Sequence, residues 1–311
     1  MDETNDFKSI VISAMIVMNV IANSLVIAVI ARYPQLREDR TTLFMFSLSV
    51  SDLAAGCTFM RISAALCSKA TSGIANTFRR LPNIHAFMFW WFGFNSMYSL
   101  CWLTASKAMV IVNPLRSEQL LTRKRCYFII GFNWLLGCVL ASANFSVDVS
   151  WNFDSCFSDY PPVDHGWSLF YVVYCVVGGV LPVTVIIYCT ARICIVVLRT
   201  RRQITAQAQA IEMGSAAVGN PGFVTAQAIR SSRNVLVICF FSFVMNTPIF
   251  LATLIRYLSR FYVSVLFSSL SLWIFECNTI VNGLLYLLLY QSVREKAIQI
   301  IYTITRCVWH V

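Results

Sequence analysis

Charged side chains are scarce in this chain. They make up 12% of its 311 residues, against 58% hydrophobic residues, whereas a soluble domain carries about twice that share of charge. So little charge does not coat one or two soluble domains of this length. The same balance excludes a disordered chain, which needs low hydrophobicity. Cysteine, with 12 residues, is too dilute for a small disulfide-knit secreted domain. No obvious linker divides the chain. A polytopic membrane protein remains. Its net charge of +10 is read as a topology signal, and no nucleic-acid partner is expected.

Seven stretches reach the roughly 20 apolar residues that a membrane-crossing helix needs. They run at about 9–31, 43–66, 84–112, 127–143, 167–198, 235–258 and 261–290. They are too long for strands, and no ten-residue alternation suggests an outer-membrane barrel. Lipid offers backbone groups no partner, so the spans should be helices. Residues 1–7 are acidic and polar with no basic region, so the first span is expected to be a retained helix and not a signal peptide. Between spans five and six, the breaker cluster from Gly214 to Gly222 is flanked by Ala- and Gln-rich pieces. These predict helices that continue beyond the bilayer around a turning tip. After Tyr290, apolar Val293, Ala297, Ile298, Ile300 and Ile301 alternate with charged Arg294, Glu295 and Lys296. That pattern predicts a helix at about 291–303 lying on the membrane surface. The expected fold is an all-α membrane protein: a seven-transmembrane helix bundle with a short amphipathic C-terminal helix, as one domain over 1–311.

Basic residues orient it. With the N-terminus outside, the inner side holds most of the 24 Lys and Arg, including Arg32, Arg37, Arg40, Arg123, Lys124, Arg125, Arg199, Arg201 and Arg202. The outer side holds Lys8, Arg61, Lys69, Arg79, Arg80, Arg256 and Arg260. The positive-inside rule selects this orientation. The expected location is the plasma membrane, with the N-terminus extracellular and the C-terminus cytoplasmic.

Polar groups inside spans are costly and usually have a task. Asp52 lies mid-span in span two, where a bare carboxylate needs donors, a cation or a proton. Asn278, Asn282 and Tyr286 recur every four residues, which puts them on one face of span seven. Asn23 and Ser96 are further candidates. Two readings stand: a hydrated cluster around Asp52 that binds a small cation, or interhelical hydrogen-bonding glue.

These residues carry a resemblance. Asn23 in Ala-Asn-Ser-Leu-Val, Leu48 and Asp52, Ser96, Trp134, Pro182, Pro248, and Asn282 with Tyr286 provide one landmark or more on each span. Ile111-Val-Asn-Pro-Leu115 looks like an inner loop of the same kind. The whole chain resembles the rhodopsin-like (class A) G-protein-coupled receptors, as an atypical member. The resemblance implies a receptor with an extracellular ligand of unknown identity and a heterotrimeric G protein as partner. It implies a sodium site at Asp52, Ser96, Asn278 and Asn282, and transducer coupling at Lys107 and Tyr286. The chain departs from the pattern at three switches. Ser106-Lys107-Ala108 stands where the family has an acidic-Arg-Tyr triplet, without the acidic neighbour that would restrain the cation. Met245-Asn-Thr-Pro248 replaces Cys-Trp-x-Pro, with Ser242 for the upstream aromatic. Gly283 replaces the family's proline, permitting a bend without forcing one.

Phe89 occupies the place of the amine-binding Asp of aminergic receptors, which argues against an amine receptor of that mechanism. Glu276 occupies the place of the opsin lysine, so no Schiff base forms and no retinal is expected. Arg61 lies roughly 13.5 Å outward of Asp52 on a straight helix, and Glu276 roughly 9 Å outward of Asn282. With spans two and seven adjacent, Arg61 and Glu276 are expected to flank a ligand pocket with Phe89. They either pair with each other, or Arg61 snorkels while Glu276 is protonated or hydrogen-bonded. Pro82 occupies the site of the family's usual helix-three cysteine. Cys156 and Cys67, both on the oxidising side, are then the expected disulfide. Asn144-Phe-Ser146 is a candidate glycosylation sequon. No catalytic constellation or phosphate loop is visible, so an enzyme is not expected. The rival functions are a receptor-like protein that signals weakly or not at all, as a dimer partner, and, behind it, a transporter or channel.

Overall fold

Long apolar runs become helices because only a helix satisfies its own backbone in lipid, and Pro248 stays inside one of them. The computed structural model describes residues 2–67, 80–147, 149–152, 156–159, 173, 175–212, 222–255 and 264–309. The elements are α1 (Asp2–Arg32), α2 (Pro34–Glu38), α3 (Arg40–Cys57), α4 (Phe59–Cys67), α5 (Leu81–Val112), α6 (Pro114–Leu120) and α7 (Arg123–Ser142). They continue with β1 (Ser150–Asn152), β2 (Phe157–Asp159), α8 (Leu181–Glu212), α9 (Gly222–Leu254), α10 (Val265–Leu289) and α11 (Gln291–Trp309). The seven expected spans correspond to α1, α3 with α4, α5, α7, α8, α9 and α10. Helices α8 and α9 run past their spans towards each other, and the tip between them lies outside the described residues. So does the 167–172 part of the fifth span. The terminal helix α11 is longer than the expected 291–303.

Neighbours close a ring. Helix α1 packs on α3 and α4, α3 on α5 and α7, α5 on α8, α8 on α9, α9 on α10, and α10 back on α1. Six helices among the described residues are long and apolar enough to cross a bilayer, beginning with Asp6–Arg32 and ending with Leu266–Leu289. The seventh, α5, has 32 residues, about 48 Å at 1.5 Å per residue. It buries Asn95, Ser96, Ser99, Thr104 and Ser106. Protein rather than lipid surrounds it, so it tolerates these polar groups. Side chains that face away from the bundle are apolar, among them Phe128, Leu135 and Leu266, as a lipid-facing surface requires.

The interior has two apolar clusters. Leu48, Leu100, Cys239 and Leu285 belong to one; Ala55, Phe92 and Phe275 belong to the other, which is rich in aromatic rings. On each of α3, α5 and α10 a polar residue separates the two: Asp52, Ser96, and Asn278 with Asn282. Helix α9 contributes Ser242 and Asn246 at the same level, between Cys239 and Ile249. A polar layer therefore crosses the middle of the bundle. Ser47 meets Ser99 at 3.1 Å, the Trp134 indole donates to Ser47 at 3.1 Å, and Ser51 donates to the Phe92 carbonyl at 2.8 Å. These clips supply the association that hydrophobicity cannot supply in lipid.

Two glycines mark close approaches. A Cβ on Gly283 would meet Asn23 Oδ1 at 3.0 Å and Ala22 Cβ at 3.1 Å, so α10 lies tight on α1. Helix α10 runs unbroken through Gly283. A π-helical turn at Val176–Val180 precedes α8, and there a Cβ on Gly179 would lie 2.5 Å from the Phe250 ring.

Candidate functional site

The polar layer encloses a cavity. Its lining includes Asp52 from α3, Ser96 from α5, Asn246 from α9, and Asn278 and Thr279 from α10, with Phe59, Phe92 and Phe275 as apolar walls. It offers about 10 Å³ to the centre of a water-sized body, room for about one water or small cation. The Asn282 amide donates to Asp52 Oδ2 at 3.0 Å, and Ser242 donates to Asn282 Oδ1 at 3.2 Å. Both ends of Asn282 are thereby committed, so it positions the carboxylate and does not line the cavity. Asp52 Oδ1, Asn246 Oδ1 and Asn278 Oδ1 are buried without a hydrogen-bond partner. Each such acceptor costs about 1–3 kcal/mol if left unmade. The cavity is a set of oxygen acceptors that calls for donors or a cation.

Above it, a second cavity is lined by Phe89, Trp90, Gly93, Phe94, Gly178, Ile249, Phe250 and Phe275. Phe89 is buried at the centre of an aromatic cluster, edge-on to Phe59 at 5.3 Å and to Phe157 at 4.6 Å. Arg61 and Glu276 line neither cavity. Arg61 is exposed, whereas Glu276 is buried with Oε2 unpartnered, so the expected pair is not formed. Span two is broken between α3 and α4: the Thr58 amide bonds Ala55 O, three residues back, at 3.3 Å. The helical phase changes there, and the straight-helix estimate for Arg61 fails.

At the hairpin end, β1 and β2 pair antiparallel, with Trp151 opposite Ser158. Cys156, in the left-handed region at φ 55°, joins Cys67 of α4 in a disulfide, with Cα atoms 5.4 Å apart. His85 is fully buried between Ser63 at 2.8 Å and Ser158 at 2.7 Å, so it too bridges α4, α5 and the hairpin. Asn144 belongs to the candidate sequon. It is 3% exposed and its amide donates to Ala141 O at 2.7 Å, so its nitrogen is not accessible to a glycosyl donor in the folded chain.

At the opposite end, Lys107 forms an ion pair with Asp39 at 3.4 Å. Asp39 also caps α3, accepting from the Thr41 amide at 3.0 Å and hydroxyl at 2.6 Å. Partial burial pushes the Asp39 carboxyl up, but the Lys107 ammonium and the Thr41 donors outweigh it and hold it below the usual carboxylate range. The acidic restraint missing beside Lys107 in the sequence thus arrives from the loop before α3. Tyr286 is fully buried, its hydroxyl unpartnered and its ring 5.9 Å from that of Tyr290. From the sequence, Asn246 and Ser242 enter only as departures from a motif. The signal that could have identified them is the one that identifies Asp52: a polar side chain in an apolar span.

A family model described as 7 transmembrane receptor (rhodopsin family) matches residues 22–286. The D(1A) dopamine receptor of Xenopus laevis is 30% identical over 138 residues, covering 42% of this chain and 28% of that receptor. The D(5)-like dopamine receptor of Takifugu rubripes is 28% identical over 137 residues, 42% of this chain and 27% of that protein. Galanin receptor type 1 of Rattus norvegicus is 27% identical over 197 residues, 61% of this chain and 55% of that protein. The matched part spans from 27% to 55% of these relatives' lengths.

Proposed function

The chain belongs to the rhodopsin family of seven-transmembrane receptors, and we propose that it is a G-protein-coupled receptor of the plasma membrane. An extracellular ligand biases its helix packing, and a heterotrimeric G protein reads the change at the Lys107 end. The observation that supports this reading most is the polar layer joining α3, α9 and α10 through Asp52, Asn282 and Ser242. A helix cannot leave such a layer gradually; its hydrogen bonds are either made or remade, which favours two discrete packings. The relatives are named for dopamine and for galanin, and those names do not converge on one ligand. Phe89, in place of a carboxylate, and the apolar lining around it support a ligand other than a simple amine.

The basic residues and the disulfide support one orientation. Ser9 of α1 bonds Ala64 O near the hairpin, whereas Tyr33 meets Gln299 of α11 at the other end. The hairpin end then faces outside and α11 lies at the inner surface. The Asp52 cavity is the candidate sodium site, with Asp52, Ser96 and Asn278 as its oxygen ligands and Asn282 as the group that holds Asp52. A bound ion supplies the positive charge that the buried carboxylate otherwise lacks. Glu276 carries no amine, which speaks against a retinal Schiff base at that position.

The test is a broad agonist screen read out by G-protein activation in cells, followed by Lys107→Arg and Lys107→Ala. Ligand-dependent activation that Lys107→Ala weakens supports the reading. Silence on every transducer, with normal surface expression, favours the receptor-like protein that does not signal. The Lys107–Asp39 pair is the observation that speaks for that rival, since it occupies the cation a transducer would meet.

A further inference from the structure

Among the described residues, Asn246 is the α9 side chain that lines the Asp52 cavity. Its orientation is determined by chemistry. The Nδ2 group donates to the Ser242 carbonyl at 2.7 Å, and a carbonyl can only accept, so the amide cannot be turned round. Oδ1 is therefore the free end, on a side chain 1% exposed and without a partner. It shares the cavity with the unpartnered oxygens of Asp52 and Asn278. Water and the Ser96 hydroxyl on the same lining can offer protons to these acceptors, but neither neutralises the buried carboxylate. A cation meets all three. The donors are oxygens only, which suits a hard ion. The lining carries a single carboxylate, so a monovalent ion neutralises it, whereas a divalent ion leaves an uncompensated charge in a medium of low dielectric.

Resting on the sodium reading above, we propose that Asn246 is a ligand of that ion, so that the bound cation ties α9 to α3 and α10. Occupancy then stabilises the packing described here and opposes any state in which α9 moves away, because displacement removes one ligand.

The full chain in detergent is heated across a sodium chloride series at constant ionic strength, balanced with choline chloride, and the apparent Tm is followed. Wild type is expected to gain stability saturably with sodium, and Asp52→Asn to show no response. Asn246→Leu, similar in volume but without the oxygen, is expected to raise the sodium midpoint roughly tenfold or more. Asn246→Asp places a second carboxylate at the cavity and is expected to gain a calcium response that wild type lacks. An Asn246→Leu midpoint within about twofold of wild type, with Asp52→Asn unresponsive, overturns the role of Asn246 and leaves the sodium site standing. No sodium response in wild type overturns both. If Asn246→Leu does not fold, Asn246→Asp decides: without a gained calcium response the proposal fails.

Discussion

Asp52→Asn is expected to stabilise the sodium-free protein. Asp52 is 1% exposed; Oδ2 accepts from Asn282 and Oδ1 has no partner. In the variant, the new amide must present its oxygen to the Asn282 donor. Its nitrogen then faces the cavity, towards the unpartnered oxygens of Asn246 and Asn278. The substitution removes one unmet acceptor and supplies a donor to another. Each such group is worth about 1–3 kcal/mol, and about 2–4 °C of Tm accompanies each kcal/mol in chains of 150–250 residues. The apparent Tm in sodium-free buffer should therefore rise by several degrees. The assay is thermal unfolding of purified wild type and variant, with and without sodium. A variant that melts below wild type without sodium would refute the reasoning, because Asp52 would then already be satisfied in the folded chain.

Four further expectations follow from local geometry. Asp39→Asn frees Lys107; the pair is half exposed on the Asp39 side, 52%, so the effect is below about 1 kcal/mol and raises basal G-protein activation by less than about fivefold. Because Asp39 is held below its ordinary value, the pair is complete at neutral pH and is lost only as pH falls through that lowered pKa. Lys107-dependent differences should accordingly be flat between pH 6 and 8 (roughly, from the ordinary carboxylate pKa near 4), and a slope there would count against the pair. Gly283→Ala forces Asn23, which its bonds to Asn19 O and Thr279 O hold in place, and should cost about 1–3 kcal/mol, read as a lowered apparent Tm. Asn144→Gln should leave the glycosidase-sensitive mass of the cell-surface protein unchanged; a loss of mass would show that the sequon is used.

Features set by one residue type over a long run were legible in the chain itself. Twenty apolar residues must cross as a helix, and Asp52 in such a run demands a partner, which Asn282 is. Helix α5 is legible by length although its Asn and Ser residues lower its hydropathy. Features that depend on helical phase were not. The break at Thr58 turns Arg61 outward, and Gly56 two residues before it is too common a residue in spans to announce that break. The Lys107–Asp39 pair joins residues 68 positions apart, across a loop whose path is set only by packing. Asn144 reads as a loop sequon, yet a 3-10 turn at Ala143–Ser146 draws it back against α7. Asn246 is visible as a polar residue, but its free oxygen becomes a ligand candidate only once Ser242 O is seen to hold the nitrogen.

The account turns on an odd number of membrane crossings, with α1 starting at the hairpin end and α11 at the Lys107 end. Epitope tags placed before Met1 and after Val311 in intact and in permeabilised cells measure this directly. The first tag should be stained in intact cells and the second only after permeabilisation. Staining of both tags in intact cells, or of neither, would contradict it.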